Sequence, residues 1–245
     1  MSYCIPHTDE TLVVDQEFDE LDWRMRDGKQ NEVRAAATSI IQLSGVSAKR
    51  AAAAHLLLAT IELLNYNYEG ALDHLHNSEP VPQPLRARAR ATSAKALSML
   101  GRLEEAGRIL AELMAESPDS WSTWEAVGVW QQRRGEEEEA WKAFLRAAQL
   151  DPSNSSVVSH LAAAGLRPER SLDLGRVLEA YLAFEPLNLG FRACLVNCYL
   201  TMGEVERARD QAQRIVSFAP FSVIPPEVVS TMSELLRQLQ PGYRY

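Results

Sequence analysis

The sequence predicts an all-α fold built from a repeated antiparallel helix pair, and two regularities of spacing support this prediction. Four prolines follow one another at intervals of 34 residues: Pro118, Pro152, Pro186 and Pro220. Three glycines each precede one of these prolines by 17 residues: Gly101, Gly135 and Gly203. Apolar residues at helical spacing lie on both sides of each glycine. Each unit is therefore predicted to be a helix, a glycine turn, a second helix and a proline turn.

Upstream of these units, the sequence predicts an acidic lead and two degenerate helix pairs. Residues 1–16 form the lead, and residues 17–86 hold the two pairs. Four helices are expected in the second region: 17–27, 30–44, 48–64 and 69–78. Gly28 lies in the first turn, and the proline-rich break PVPQP at 80–84 ends the region.

Residues 87–222 contain four repeat units: 87–120, 121–154, 155–188 and 189–222. The second unit, WSTWEAVGVWQQRRGEEEEAWKAFLRAAQLDPSN, resembles a tetratricopeptide repeat (TPR) because it carries the signature residues of that family: Trp124, Gly128, Gly135, Ala140, Phe144, Ala147 and Pro152. The resemblance implies a right-handed α-solenoid of stacked antiparallel helix pairs, the TPR superhelix.

The unit at 155–188 departs from the family pattern. Glu169 stands where the turn glycine belongs, Leu174 replaces a small alanine, and Pro168 lies inside the turn between the two helices. Because proline interrupts a compact turn, Arg167 either faces the groove of the solenoid or lies in a loop.

The last region, residues 223–245, is predicted to hold a capping helix and a tail. Pro225 and Pro226 mark the start of the helix. Apolar residues follow at helical spacing: Val228, Val229, Met232, Leu235, Leu236 and Leu239. Such a helix covers the apolar end of a solenoid.

Composition argues against a nucleic-acid partner. The chain has 245 residues, 46% hydrophobic content and a net charge of -8. Residues 1–32 carry nine acidic and three basic side chains, so a net charge of only about -2 is left for the remainder. Since no basic footprint appears, no nucleic-acid binding is expected.

The sequence favours a cytoplasmic location. Three cysteines are present, and the start of the chain, MSYCIPHTDET, has neither a basic nor an apolar signal region. The most apolar segment, 51–64, contains His55 and Glu62 and is too short to span a bilayer. Direct membrane insertion is therefore not expected.

The resemblance also implies a concave groove lined by the second, fifth, ninth, twelfth and thirteenth positions of each unit. Ten residues at these positions are candidate groove residues: Arg88, Lys95, Met99, Glu125, Val129, Gln132, Arg133, Ser159, Arg167 and Asn197. Four are basic and one is acidic, which predicts a locally positive groove. Because guanidinium groups bind carboxylates bidentately, the expected ligand is an acidic or extended peptide segment of another protein. The alternative is that these side chains are solvated and bind nothing.

Enzymatic activity is not predicted, because the chain has no P-loop, GxGxxG, GxSxG or HExxH motif. Cys194 and Cys198 have no nearby His or Cys in sequence to complete a metal site. His74 and His76 point to different sides of a helix and cannot chelate together. No metal or cofactor is expected.

Two function classes remain open. In the first, the protein is an adaptor that binds a partner's peptide segment and assembles a complex, with secretion, envelope and cytoskeletal assembly as the candidates. In the second, it is a helical scaffold that self-associates through its convex face or its ends, which makes it a homo-oligomer.

The acidic segment DETLVVDQEFDELD, residues 9–22, adds a hypothesis about regulation. It has seven acidic and no basic residues, so it resembles the ligand expected for a positive groove. The segment either docks in its own or a neighbouring molecule's groove and competes with the partner, or it is only a solubilising lead into the first helix.

Overall fold

The computed structural model describes residues 10–26, 28–78, 81, 83–165, 167–221 and 224–239. Within these ranges the chain forms thirteen α-helices and no strand. They are α1 (Glu10–Arg26), α2 (Gln30–Gln42), α3 (Ala48–Leu64), α4 (Tyr68–His76), α5 (Gln83–Met99), α6 (Leu103–Glu116), α7 (Trp121–Arg133), α8 (Glu137–Leu150), α9 (Ser155–Ala164), α10 (Ser171–Phe184), α11 (Leu189–Thr201), α12 (Val205–Phe218) and α13 (Pro226–Gln238). The predicted fold class, an all-α solenoid of helix pairs with a C-terminal capping helix, is confirmed.

Glycines in the left-handed conformation form the turns inside the helix pairs. Gly135, with φ +79°, follows α7, and its N–H donates to the carbonyl of Gln132 at 3.1 Å. The N–H of Glu136 donates to the carbonyl of Gln131 at 3.0 Å, which completes a Schellman turn. The same two bonds surround three further glycines with positive φ: Gly28, Gly101 and Gly203. The predicted glycine turns are therefore present, and their glycines adopt the left-handed conformation.

The turn between α3 and α4 has the same bonds without a glycine. Tyr66, with φ +63°, donates its N–H to the carbonyl of Leu63 at 3.2 Å, and Asn67 donates to that of Glu62 at 2.9 Å. The left-handed region is costly for a side chain with a Cβ atom. This turn therefore carries backbone strain that the glycine turns lack.

The irregular unit at 155–188 has an open connection between its helices. Arg167 is extended, with φ -112° and ψ 140°, as expected for a residue that precedes proline. Pro168–Arg170 then forms a 3-10 turn, and α10 begins at Ser171. Arg167 therefore lies in the loop after α9, which decides between the two alternatives open at the sequence level.

The chain divides into two compact units, residues 1–140 and 141–245, with the boundary inside α8. In unit 1, α1 packs against α2 and α3 and buries four apolar side chains: Val14, Phe18, Leu21 and Met25. Their helical spacing begins upstream of residue 17, so α1 starts at Glu10, earlier than the sequence analysis placed the first helix. Part of the expected acidic lead is thus a core helix.

In unit 2, α13 packs against α12. Met232 on α13 is buried, and Arg209 of α12 donates a hydrogen bond to the carbonyl of Leu239.

In α10, Leu174 is fully buried, and the next residue, Gly175, supplies a small surface in place of the expected alanine. A Cβ atom at Gly175 would lie 3.8 Å from that of Cys198 on α11. The close approach of α10 and α11 thus uses a glycine displaced by one position. Within the described residues, no helix combines the length and apolar character needed to cross a membrane.

Candidate functional site

The ten candidate groove residues differ in exposure. The two buried candidates are Glu125 and Val129. The three partly buried candidates are Arg88, Lys95 and Met99. The five exposed candidates are Gln132, Arg133, Ser159, Arg167 and Asn197. The first seven in the chain belong to unit 1, and Ser159, Arg167 and Asn197 belong to unit 2. The two sets are therefore considered separately.

Arg88 in unit 1 is held by other side chains of the same unit. Its guanidinium carbon lies 5.1 Å from the centroid of the Phe18 ring and 5.3 Å from that of Trp121. Its Nη2 donates a hydrogen bond to the Asp22 carboxylate on α1. The Arg88 and Asp22 side chains are only 17% and 8% exposed. Arg88 therefore joins α1, α5 and α7.

Lys95 is paired in a similar way with a buried carboxylate. Its Nζ lies 2.6 Å from Oε2 of Glu125, and the two side chains are 13% and 1% exposed. The pair joins α5 to α7, which pack against each other. Two of the four basic candidates are thus offset by carboxylates of unit 1, so the expected positive charge is reduced there.

The acidic segment at 9–22 is part of this arrangement. Residue 9 lies outside the described residues, and residues 10–22 belong to α1. Asp22 pairs with Arg88, and Glu17 accepts two hydrogen bonds from Arg50 at 2.7 and 2.6 Å. The described part of the segment is a core helix of unit 1 that also binds a candidate groove residue. Its competition with a partner for the groove stays a prediction.

Unit 2 has two adjoining depressions that share Asn197 and Leu200 of α11; together they are called the Asn197 surface. The first has a volume of about 340 Å³ and is also lined by Gly165, Ser171, Cys198 and Thr201. The second has a volume of about 480 Å³ and lies between α11 and α13. Asn197 and Leu200 occupy the ninth and twelfth positions of their repeat, where the TPR resemblance places groove residues.

The Asn197 surface is suited to an uncharged polypeptide segment. The Asn197 side chain is exposed, and its amide forms no hydrogen bond with the described residues, so its donor and acceptor are available to a peptide group. Leu200 adds apolar surface. On α13, Arg237 forms an ion pair with Glu234, and both residues line the second depression without adding net charge.

Part of this surface was absent from the sequence-level candidates. The α13 residues Thr231, Met232 and Leu235 line the second depression, but they follow the last repeat and have no groove position by resemblance. Ser159 and Arg167 are exposed but line neither depression. Only Asn197 among the three candidates of unit 2 belongs to the surface.

Cys198 lines the first depression but has the properties of an unreactive thiol. Burial and the neighbouring Cys194 raise the pKa of the Cys198 thiol to about 11. A nucleophilic cysteine requires a lowered pKa. Cys198 therefore contributes a small apolar surface rather than a reactive group.

Comparisons with solved structures identify the fold. PilW, a widely conserved type IV pilus biogenesis factor, matches with a TM-score of 0.55 and 15% identity over 90% of this chain and 98% of its own. PilF of Pseudomonas aeruginosa matches with a TM-score of 0.51 and 17% identity over 86% of this chain and 90% of its own. The structure of Naa15/Naa10 bound to HypK-THB matches with a TM-score of 0.54 and 17% identity over 76% of this chain, which spans only 29% of that chain.

No protein-family model matches the chain, and no curated protein matches it. The structural relatives are helical solenoids of the TPR type. At these identities the likeness concerns the fold. The signature residues at 121–154, the left-handed glycine turns and the structural relatives agree that this chain has the helical-repeat fold of the tetratricopeptide type.

Proposed function

We propose that the protein is a non-enzymatic adaptor that binds an extended segment of a partner protein and assembles a complex. The observation that carries the proposal is the Asn197 surface, where an exposed amide and Leu200 line two adjoining depressions. An asparagine side chain has one donor group and one acceptor, so it can pair with a backbone amide of an extended segment. Leu200, Met232 and Leu235 then contact an apolar side chain of the same segment.

The charge of the bound segment is the finer part of the proposal. In unit 1, Arg88 and Lys95 are paired with internal carboxylates. Arg133 is exposed and forms no ion pair with the described residues, so it is the basic candidate best placed to bind a carboxylate of a partner. We therefore favour Arg133, within unit 1, as a contact for an acidic side chain of a partner, and, separately, recognition of an extended backbone at Asn197 within unit 2.

The names of the structural relatives support an assembly role. PilW is a pilus biogenesis factor, and Naa15 is part of a complex with Naa10 and HypK-THB. A secretion, envelope or cytoskeletal assembly is the corresponding role for this chain. The proposed location is the cytoplasm, which accords with the free thiols of Cys194 and Cys198.

The test compares the wild type with Asn197→Ala in affinity purification, followed by titration calorimetry with synthetic peptides from the captured partner. We expect Asn197→Ala to weaken peptide binding about 2- to 12-fold, because a hydrogen bond contributes about 0.5–1.5 kcal/mol. Asn31→Ala, the same substitution at an exposed helical position of α2, is the matched control. Equal affinity of Asn197→Ala and the wild type would contradict the proposal.

A second candidate function, self-association as a scaffold, is favoured by the apolar edge of unit 2. This edge consists of Phe184, Leu187, Phe218 and Phe221, which are 60%, 53%, 38% and 80% exposed. Phe218 and Phe221 lie one 34-residue repeat after Phe184 and Leu187, at equivalent positions. Consecutive repeats thus present large apolar side chains at the same place, as an interaction surface does.

Sedimentation velocity tests this alternative with the double variant Phe218→Ser/Phe221→Ser. A self-associating scaffold dissociates to monomers in this variant, whereas Asn197→Ala remains associated. If the wild type is itself monomeric at about 50 µM, in the range where weak dimers associate, the scaffold function is excluded.

A further inference from the structure

We propose that His55 and His74 form a binding site for a divalent transition-metal ion, such as Zn²⁺, through their two Nδ1 atoms. His55 lies on α3 and His74 on α4. The two Nδ1 atoms are 3.1 Å apart, and the ring centroids are separated by 5.4 Å. At the sequence level His74 could be compared only with its neighbour His76, because its partner His55 lies on another helix, 19 residues away.

The separation of the two nitrogens suits a single metal ion. A Zn–N bond of about 2.0–2.1 Å with nitrogens 3.1 Å apart corresponds to an N–Zn–N angle of about 100°. This angle lies between the about 90° of octahedral and the about 109° of tetrahedral coordination.

The surroundings favour the neutral imidazoles that a metal requires. Burial lowers the pKa of both rings, and the pair interaction lowers that of His55 further. The charged groups that act on His74 are the carboxylates of Glu62 and Asp73 and the guanidinium of Arg34. Arg34 and Glu62 form an ion pair at 2.5 Å, so their charges cancel. The Asp73 carboxylate then gives the three groups a net negative charge.

Two imidazoles leave the other coordination positions to water. Among the residues that the structure describes, no group of three or more His, Cys, Asp or Glu side chains is arranged to hold a metal. The site is therefore expected to bind an exchangeable ion rather than a permanent structural one. Because the ligands come from both helices of one pair, a bound ion joins α3 to α4 and stabilises unit 1 in proportion to its free concentration.

Titration calorimetry with zinc chloride and the full chain tests the proposal. We expect His74→Gln and His55→Gln each to weaken Zn²⁺ binding by at least about tenfold, because each removes one of the two protein ligands and the loss of even an outer-shell partner costs about 10- to 100-fold. The matched control is His76→Gln, an exposed position two residues further along α4. Binding by cysteine thiols is the same in all of these proteins, so it does not affect the comparison. Thermal unfolding should show a Zn²⁺-dependent rise in Tm in the wild type and the control only.

Two outcomes would overturn the proposal: equal Zn²⁺ affinity in the wild type and both site variants, or an equal loss in the His76→Gln control. The first outcome would mean that the two rings share only a hydrogen bond. If a site variant fails to fold, NMR of the wild type gives an independent answer, because Zn²⁺ must shift the His55 and His74 imidazole resonances and leave those of His76 unchanged.

Discussion

Replacing Lys95 with methionine tests whether the Lys95–Glu125 pair is structural or available to a partner. Methionine retains most of the apolar stem and removes the ammonium group, whose nitrogen lies 2.6 Å from the Glu125 carboxylate. Glu125 is 1% exposed, so its charge would remain buried without its cation. Breaking such a pair from one side costs about 3–5 kcal/mol. We expect the free energy of unfolding to fall by about this amount.

Urea unfolding, followed by circular dichroism, measures this change. The double variant Lys95→Met/Glu125→Gln should recover most of the lost stability, because removing both charges leaves no buried ion. The control is Arg24→Met, which breaks an exposed pair with Glu20 on α1 and should cost about 0.5 kcal/mol. A loss below about 1 kcal/mol for Lys95→Met would refute the reasoning and return Lys95 to the set of residues available for ligand binding.

Three further predictions concern the turn at Tyr66, the histidine pair and Cys198. Tyr66→Gly should stabilise the protein against urea by about 0.5–1 kcal/mol, because the left-handed conformation costs tyrosine about 1–2 kcal/mol and the flexibility of glycine offsets about half; a loss of stability would contradict this. The unfolding free energy, measured with EDTA present, should decrease as the pH falls below 6.5. Folding lowers the pKa values of His55 and His74, so at these pH values the unfolded chain binds protons that the folded chain does not. This decrease should be smaller in His55→Gln, and an identical pH profile would argue against the pair. With a pKa of about 11, the Cys198 thiol is about 0.1% thiolate at pH 8. Iodoacetamide should therefore alkylate Cys198 far more slowly in the native protein than in the urea-unfolded protein, which mass spectrometry can measure. Equal alkylation rates would exclude a buried thiol.

The local features of the fold could be predicted from the sequence. Gly135 ends α7 in the left-handed conformation, Pro168 opens the connection after α9, and Pro226 begins α13. Each depends on the backbone preferences of one or a few adjacent residues, and glycine and proline signal these preferences strongly. The turn at Tyr66 was missed because tyrosine gives no such signal. There the left-handed conformation is part of the hydrogen-bonded turn that joins α3 to α4.

The candidate site was less accessible to sequence reasoning. Asn197 could be assigned from its position in the repeat, but the α13 side chains that complete its surface could not. Arg88 and Lys95 were counted as free positive charges, although Asp22 and Glu125 lie 66 and 30 residues away in the chain and pair with them. His55 and His74 are likewise 19 residues apart and on different helices.

The sequence by itself determined the repeat length, the helix–turn–helix unit and the identity of the TPR fold, because these depend on contacts within a unit and on residues that recur with its period. The tertiary structure alone decided which side chains are exposed, which charges are offset and which residues of different helices meet. Burial and electrostatic pairing depend on distances in space, and at Arg88, Lys95 and the histidine pair they join residues from separate helices. The same arginine or lysine in a repeat can therefore bind a partner or hold two helices together, according to the carboxylate that the fold brings beside it.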